Sequence, residues 1–222
     1  MLLEEKISEL KKRILSYVSL VKDMIRKAVD SIVNEDKNLA KEVINVLEPK
    51  ANEEEVAIEE ECIKIIALYQ PEAKMLRIVM MISKMVSDIE RMGDKAVNIA
   101  ESALELMKMP KIKPLIDIPR MKEETLKMID DSVASFINED IELSYKVMKS
   151  DDIVDNIRDQ ILRELITFMT SDPKTIKPGL HLLRIARNLE KIADITSNIC
   201  EDVVYISKGE VIKHHYPDDL KC

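Results

Sequence analysis

Two pairs of carboxylates stand at the same spacing in two parts of the chain. Glu90 and Asp94 are followed one hundred positions later by Glu190 and Asp194, in twelve-residue segments that match at five positions, four of them polar. Acidic side chains four residues apart lie on one face of a helix, close enough to repel each other or to share a cation. Shared apolar residues would need only helical packing, whereas shared polar residues indicate a shared chemical task. The repeat therefore predicts two equivalent carboxylate sites.

The charges around these pairs point to a cation. Glu90 has no lysine or arginine three or four residues away, and we expect both pairs to be uncompensated and available to a positive ion. Carboxylate oxygens are hard ligands, suited to iron, manganese, magnesium or calcium. On a helical projection, the apolar residues of both segments gather on one side and the acids fall away from its centre. The acids of each segment thus form a stripe on the outward or flanking side of the helix, called the outward stripe below. Glu201 is placed in it with Glu190 and Asp194.

The elements that hold these residues must be long helices. The chain of 222 residues is 46% hydrophobic but contains only 3 glycines, 8 prolines and 3% aromatic residues. Abundant Glu, Lys, Leu, Ile and Met with so few turn residues favours helices over sheets. The prolines at 110, 114 and 119 mark a linker. We predict an all-α fold of two tandem three-helix bundles, end to end, spanning residues 1–109 and 117–208, with a loose tail at 209–222.

Composition also excludes several classes of function. The net charge is −8 and no stretch gathers bases with aromatic residues, so nucleic-acid binding is not expected. The N-terminus turns charged at once, unlike a signal peptide, and the longest apolar run, residues 78–82, is too short to span a membrane. The three cysteines form no Cys-x-x-Cys pair and are expected to be free thiols of a reducing cytoplasm.

The repeated segments resemble the two signature helices of the PhoU family. The likeness rests on Glu90-Arg-Met-Gly-Asp94, on Glu190-Lys-Ile-Ala-Asp194 and on Ala67-Leu-Tyr-Gln-Pro71, and it extends from about residue 10 to residue 209. The family consists of cytoplasmic accessory proteins of the phosphate-specific transport system. The resemblance implies negative regulation: restraint of phosphate uptake by the ABC transporter ATPase, and damping of the associated sensor histidine kinase. It further implies contact with the membrane only through those partners, and a homodimer is a possible assembly.

The resemblance also implies multinuclear metal clusters, of iron or zinc. The candidate ligands are Glu90 and Asp94 in the first half and Asp152, Asp155, Glu190 and Asp194 in the second. The first half has Pro49-Lys-Ala-Asn52 where the second has Asp152 and Asp155, although three glutamates follow at 53–55. Lys95 and Ile195 stand where many relatives have histidine. We therefore predict the second site to be the stronger metal site.

Three other functions compete with this interpretation: an enzyme, a docking scaffold without metal, and a relative attached to a different transporter. A di-iron oxidase would need inward-facing Glu-x-x-His motifs, and none of the histidines, at 181, 214 and 215, completes one. A phosphate-binding Gly-x-x-x-x-Gly-Lys loop is also missing, so we expect a protein that is not an enzyme. The alternatives that stay open are a helical docking scaffold with no physiological metal and a relative attached to a different anion transporter.

Overall fold

The computed structural model describes residues 2–209 and folds them into helices, with no β-strand in that range. In chain order, the α-helices are α1 (Leu2–Val33), α2 (Lys37–Glu42), α3 (Glu48–Tyr69), α4 (Ala73–Leu106), α5 (Asp117–Asn138), α6 (Ile141–Ser171) and α7 (Ile176–Lys208). A π-helical segment, Val43–Leu47, joins α2 to α3, and a 3-10 turn, Pro173–Thr175, precedes α7. The prediction of two tandem three-helix bundles is confirmed: α1, α2–α3 and α4 form the first, and α5, α6 and α7 form the second.

The same local chemistry starts the middle helix of both bundles. Asp36 caps α2 by accepting a hydrogen bond from the backbone N–H of Asn38 at 2.8 Å, and Asp140 caps α6 by accepting one from Leu143 at 3.0 Å. Such caps satisfy donors that a helix leaves unpaired at its first turn. The residue before each cap, Glu35 or Glu139, adopts a left-handed backbone with φ of 55° or 52°. The internal repeat therefore extends to the turns.

The two bundles pack side by side and not end to end as expected. Helices α4 and α7 run antiparallel along their length: Lys84 pairs with Asp202 at one end, and Arg184 pairs with Glu101 at the other. Helices α1 and α5 also meet, through ion pairs of Lys22 with Asp130 and of Lys122 with Asp30. An approximate twofold axis through both contacts relates the halves. One continuous apolar core, dominated by Ile with Val, Ala and Leu, fills both bundles.

The π-helical segment accounts for an irregularity in the repeat. Asp36 and Ile58 are one residue further apart than their counterparts Asp140 and Ile161. A π-helical turn accommodates one extra residue without ending the helix. The first bundle therefore has an unbroken helical path through α2 and α3, and Pro49, which has no N–H to donate, directly follows the π-helical segment.

Several further expectations concern single residues. Cys62 and Cys200 are free thiols, as predicted, and the structure shows both to be buried, whereas Cys222 and the histidines at 214 and 215 lie outside the described residues. Helix α7 ends at Gly209, whose φ of 72° suits glycine. Among residues 2–209, no helix has the length and apolar character that a membrane span requires.

Two candidate carboxylate sites

The first cluster of acids lies between α3 and α4. Glu90 is half-buried and Asp94 is exposed, and the two carboxylates lie one turn apart on α4, close enough to interact. Glu48 and Glu55 approach from α3. Burial and then the charge of Asp94 raise the pKa of Glu90, and the same two causes raise the pKa of Glu48. For Glu55, burial raises the pKa first, followed by the charges of Glu59 and Asp94. The four carboxylates therefore share one region of negative potential.

The second cluster lies between α6 and α7, at the place the repeat requires. It contains Asp151, Asp152 and Asp155 of α6 together with Glu190 and Asp194 of α7. Burial raises the pKa of Asp151 to about 7, and the charges of Asp194, Asp155, Asp152 and Glu190 act in the same direction, in that order. The structure thus brings the predicted acids of the second half together around the partly buried carboxyl group of Asp151.

Sequence analysis missed Glu48 and Asp151. They are equivalent positions of the repeat, 103 residues apart like Ile58 and Ile161, and both face the acids on the neighbouring helix. This shared spacing was the available signal. Asp155, in contrast, corresponds to Asn52, so the repeat does not supply every acid twice.

The expectation that both acid pairs are uncompensated is wrong for the second half. Lys191 Nζ lies 2.6 Å from an Asp194 oxygen and 3.3 Å from a Glu190 oxygen. Arg158, in the position that corresponds to Glu55, pairs with Asp155 at 3.2 Å. In the first half Arg91, three residues before Asp94, turns instead to Asp88 at 3.0 Å. The second cluster therefore carries its own bases, whereas the first keeps its acids largely unpaired.

The predicted outward placement of the acids is wrong for Glu201. Glu101 is exposed on α4, but its counterpart Glu201 is buried, with 8% of its surface accessible. A projection of α7 alone cannot show this, because α7 packs against α4 and α5 as well as α6. The outward placement holds for Glu90, Asp94, Glu190 and Asp194, which are exposed or half-buried.

The donor atoms of the two clusters are suited to a metal ion, but their arrangement in the structure is not. Their donor atoms are carboxylate oxygens, which suit hard or borderline cations. Between residues 2 and 209, however, no three or more His, Cys, Asp or Glu side chains are arranged closely enough to hold a metal ion. Binding would require the acids of each cluster to change rotamer and, in the second cluster, Lys191 to move away.

The fold and the two sites define a class: a tandem helical-bundle protein with an acidic cluster on each bundle. The family model described as "PhoU domain" matches residues 4–103 and, separately, residues 118–203. The chain belongs to the PhoU family.

Relatives agree with this assignment over nearly the full length. The chain is 44% identical over 216 residues to a phosphate-specific transport system accessory protein PhoU homolog of Aquifex aeolicus, covering 97% of each chain. It is 34% identical over 214 residues to the accessory protein PhoU of Escherichia coli K12, covering 96% of this chain and 88% of that one. The crystal structure of PhoU from Pseudomonas aeruginosa superposes with a TM-score of 0.87 at 31% identity, covering 93% of this chain and 99% of that one.

Proposed function

We propose that this chain is a cytoplasmic regulator of phosphate uptake, an adaptor without catalytic activity of its own. It restrains a phosphate ABC transporter through the transporter's ATPase subunit and damps the associated sensor histidine kinase when phosphate is plentiful. The observation that carries the proposal is membership of the PhoU family over both halves, together with relatives named as accessory proteins of the phosphate-specific transport system.

A test in cells uses a strain that lacks its own accessory protein. We expect expression of this chain to lower phosphate uptake and the output of a phosphate-starvation reporter in phosphate-rich medium, and an affinity-tagged copy to retain the transporter ATPase. Retention of the ATPase of a different anion transporter, with phosphate uptake unchanged, would contradict the proposal and identify another transporter as the partner.

The two carboxylate clusters serve, in this proposal, as metal sites. Glu90 and Asp94 would hold the first metal, and the second would be held by Asp152, Asp155, Glu190 and Asp194. Glu48 and Asp151 extend each set by one acid. A bound iron or zinc ion would supply positive charge that relieves the mutual repulsion of the carboxylates. The proposal therefore gives the metal a structural role on the surface.

Elemental analysis tests the metal sites directly. We expect protein purified without added metal to contain iron or zinc in stoichiometric amounts, and the variant with Glu90, Asp94, Glu190 and Asp194 changed to alanine to lose it. A matched control changes four exposed glutamates outside the clusters to alanine, at positions 5, 60, 72 and 142. Wild-type protein that binds no metal, even when iron or zinc is supplied, would refute this part of the proposal.

A second candidate function is a docking scaffold for a transporter that uses no metal. The ion pairs of Lys191 with Asp194 and Glu190 favour it, because a lysine inside the cluster already neutralises part of its charge. In that case the alanine variant would bind the transporter ATPase differently from wild type even after both proteins are stripped by a chelator. A metal adaptor would instead lose partner binding when the wild-type protein is stripped.

A further inference from the structure

A basic groove crosses the exposed face of the α4–α7 pair. It has a volume of about 420 Å³ and is lined by Lys95 and Asn98 of α4 and by Arg184, Arg187, Asn188 and Lys191 of α7, with two leucines at its end. The lining residues in the described part of the chain include four bases and no acid. In a protein of net charge −8, such a concentration of positive charge stands out.

The bases of the groove differ in how far they are already engaged. Arg184 donates to Asn98 Oδ1 at 2.5 Å and pairs with Glu101 at 3.2 Å, so its direction is fixed across the two helices. Lys191 is held by Asp194 and Glu190. Within residues 2–209, Lys95 and Arg187 make no direct ion pair or hydrogen bond, although the charge of Lys95 acts on Glu90 and opposes the rise of its pKa. Lys95 of the first bundle and Arg187 of the second can therefore donate to a ligand, and the contacts of Arg184 connect the two helices that carry them.

The internal repeat does not explain this groove. At the opposite end of the same face, the twofold-related positions hold Ile195 for Lys95, Ser87 for Arg187 and Asp88 for Asn188. The bases that do recur there, Lys84 and Arg91, are paired with Asp202 and Asp88. The scaffold is thus present twice, but within residues 2–209 bases without an ion pair collect at one of its two ends.

We propose that this groove binds a small phosphate oxyanion. Guanidinium and ammonium donors that converge from two helices match a tetrahedral anion with several acceptor oxygens. The acidic clusters on both flanks, with Asp94 beside Lys95 and Asp194 beside Lys191, would repel an extended acidic chain that ran beyond the groove. The surroundings therefore select a compact ligand: free phosphate, or the phosphate group of a nucleotide.

The proposal rests on the proposed function only for the choice of phosphate as the first probe. It requires neither a metal nor a transporter, since the groove residues are bases and amides. An anion held by Arg187 and Lys95 would join α7 to α4 and so bridge the two bundles. It would also compete with Asp194 for Lys191, which lies at the border of the groove and the second acidic cluster.

The test is isothermal titration calorimetry of the full chain with inorganic phosphate and, separately, with adenosine monophosphate, both with EDTA present. We expect one saturable site for at least one of the two anions. Arg187→Gln and Lys95→Gln should each weaken it by about tenfold, because each removes a charge-assisted contact. The matched control, Arg91→Gln, removes the same charge at the position equivalent to Lys191 and should change the affinity by less than about twofold, as expected for a distant, screened charge.

The results distinguish a nucleotide from free phosphate as the ligand, and they also decide whether the groove binds an anion at all. Tighter binding of adenosine monophosphate assigns a nucleotide, and binding of inorganic phosphate that is equal or tighter assigns free phosphate. Binding of neither anion would overturn the proposal, as would an equal loss of affinity in Arg187→Gln and Arg91→Gln. Capture of an acidic partner segment by a protein that binds neither anion would assign the groove to docking. An Arg187→Gln variant that has lost anion binding could still regulate phosphate uptake normally in cells. The proposed function would then hold, and anion binding in the groove would not contribute to it.

Discussion

Lys84 and Arg184 occupy equivalent positions of the internal repeat, and each reaches across the approximate twofold axis to an acid of the opposite bundle. Lys84 Nζ lies 2.5 Å from both carboxylate oxygens of Asp202, while Arg184 lies 3.2 Å from Glu101. The two pairs differ in solvent exposure: the side chain of Asp202 is 6% accessible and that of Glu101 is 52% accessible. The same interaction thus occurs in a buried and an exposed setting.

This difference predicts unequal losses of stability. Lys84→Met takes an ammonium away from a buried carboxylate and should lower the free energy of unfolding by roughly 3 kcal/mol. Arg184→Met breaks an exposed pair and should cost less than about 1 kcal/mol. Urea unfolding of both variants at pH 7 measures the comparison. Equal losses would show that the burial of Asp202 does not govern the strength of the pair.

The pKa of Asp151 predicts a pH dependence of stability. Because the folded state raises this pKa from 3.8 to about 7, it keeps a proton that the unfolded chain releases. This group therefore makes the free energy of unfolding fall as the pH rises from about 4 to about 7, with no further change above that. Asp151→Asn removes the effect.

In metal-free buffer, Asp151→Asn should be more stable than wild type at pH 8, by on the order of 2 kcal/mol after allowance for partial solvation. The advantage should shrink steadily as the pH is lowered to 5. Thermal melts of both proteins across this range provide the measurement. A constant difference at every pH would mean that Asp151 titrates normally in the folded protein.

Gly93 offers a stabilising substitution within the signature helix. It is buried in the middle of α4, and a methyl group added there would lie 3.6 Å from the Met24 side chain, an ordinary van der Waals contact. The equivalent residue of α7 is Ala193, which is fully buried. Gly93→Ala should therefore raise the free energy of unfolding by about 1 kcal/mol through helix propensity.

Gly179→Ala is the matched comparison for this change. A methyl group at Gly179 would lie 3.1 Å from two atoms of the Met169 side chain, so Met169 must shift and most of the gain should be lost. Chemical denaturation of both variants checks the order. Destabilisation by Gly93→Ala would contradict the packing between α1 and α4.

The proposed metal sites should differ in strength. Replacing Glu190 and Asp194 by their amides should remove more bound metal than the same change at Glu90 and Asp94, since the second cluster gathers four acids around Asp151. Lys191→Met should increase metal affinity by about tenfold, because Lys191 competes with a cation for Asp194. Metal titration followed by elemental analysis tests both statements. Greater loss at Glu90 and Asp94 would reverse the predicted order.

The helices were predictable because their signals are local. Apolar residues at helical spacing in α4, among them Ile82, Met85, Val86 and Ile89, form its buried face as the periodicity indicates. The position of the acids on flanking surfaces followed from the same projection. Repetition of the same order of helices, at offsets of 100 to 104 residues, supplied the tandem architecture.

Contacts between the bundles were not predictable from periodicity. Glu201 is buried because α7 has neighbours on several sides, and a projection of one helix contains no information about a second bundle. The extra residue before Ile58 was visible as a change of repeat spacing, but the spacing does not show that a π-helical segment, in contact with α1 and α4, accommodates it. The pairing of Lys191 with Asp194 was visible in the three-residue spacing and was overlooked.

The approximate twofold axis gives one polypeptide the symmetry of a two-subunit protein. In an assembly of two identical chains, every substitution appears at both ends of the shared face, so a groove such as the one at Lys95 and Arg187 would be present twice or not at all. Fusion of the two copies into one chain removes that constraint. Lys95 and Ile195, or Arg187 and Ser87, could then diverge independently, and the symmetric scaffold of residues 2–209 came to carry an acidic cluster on each half but this basic groove at one of its two equivalent positions.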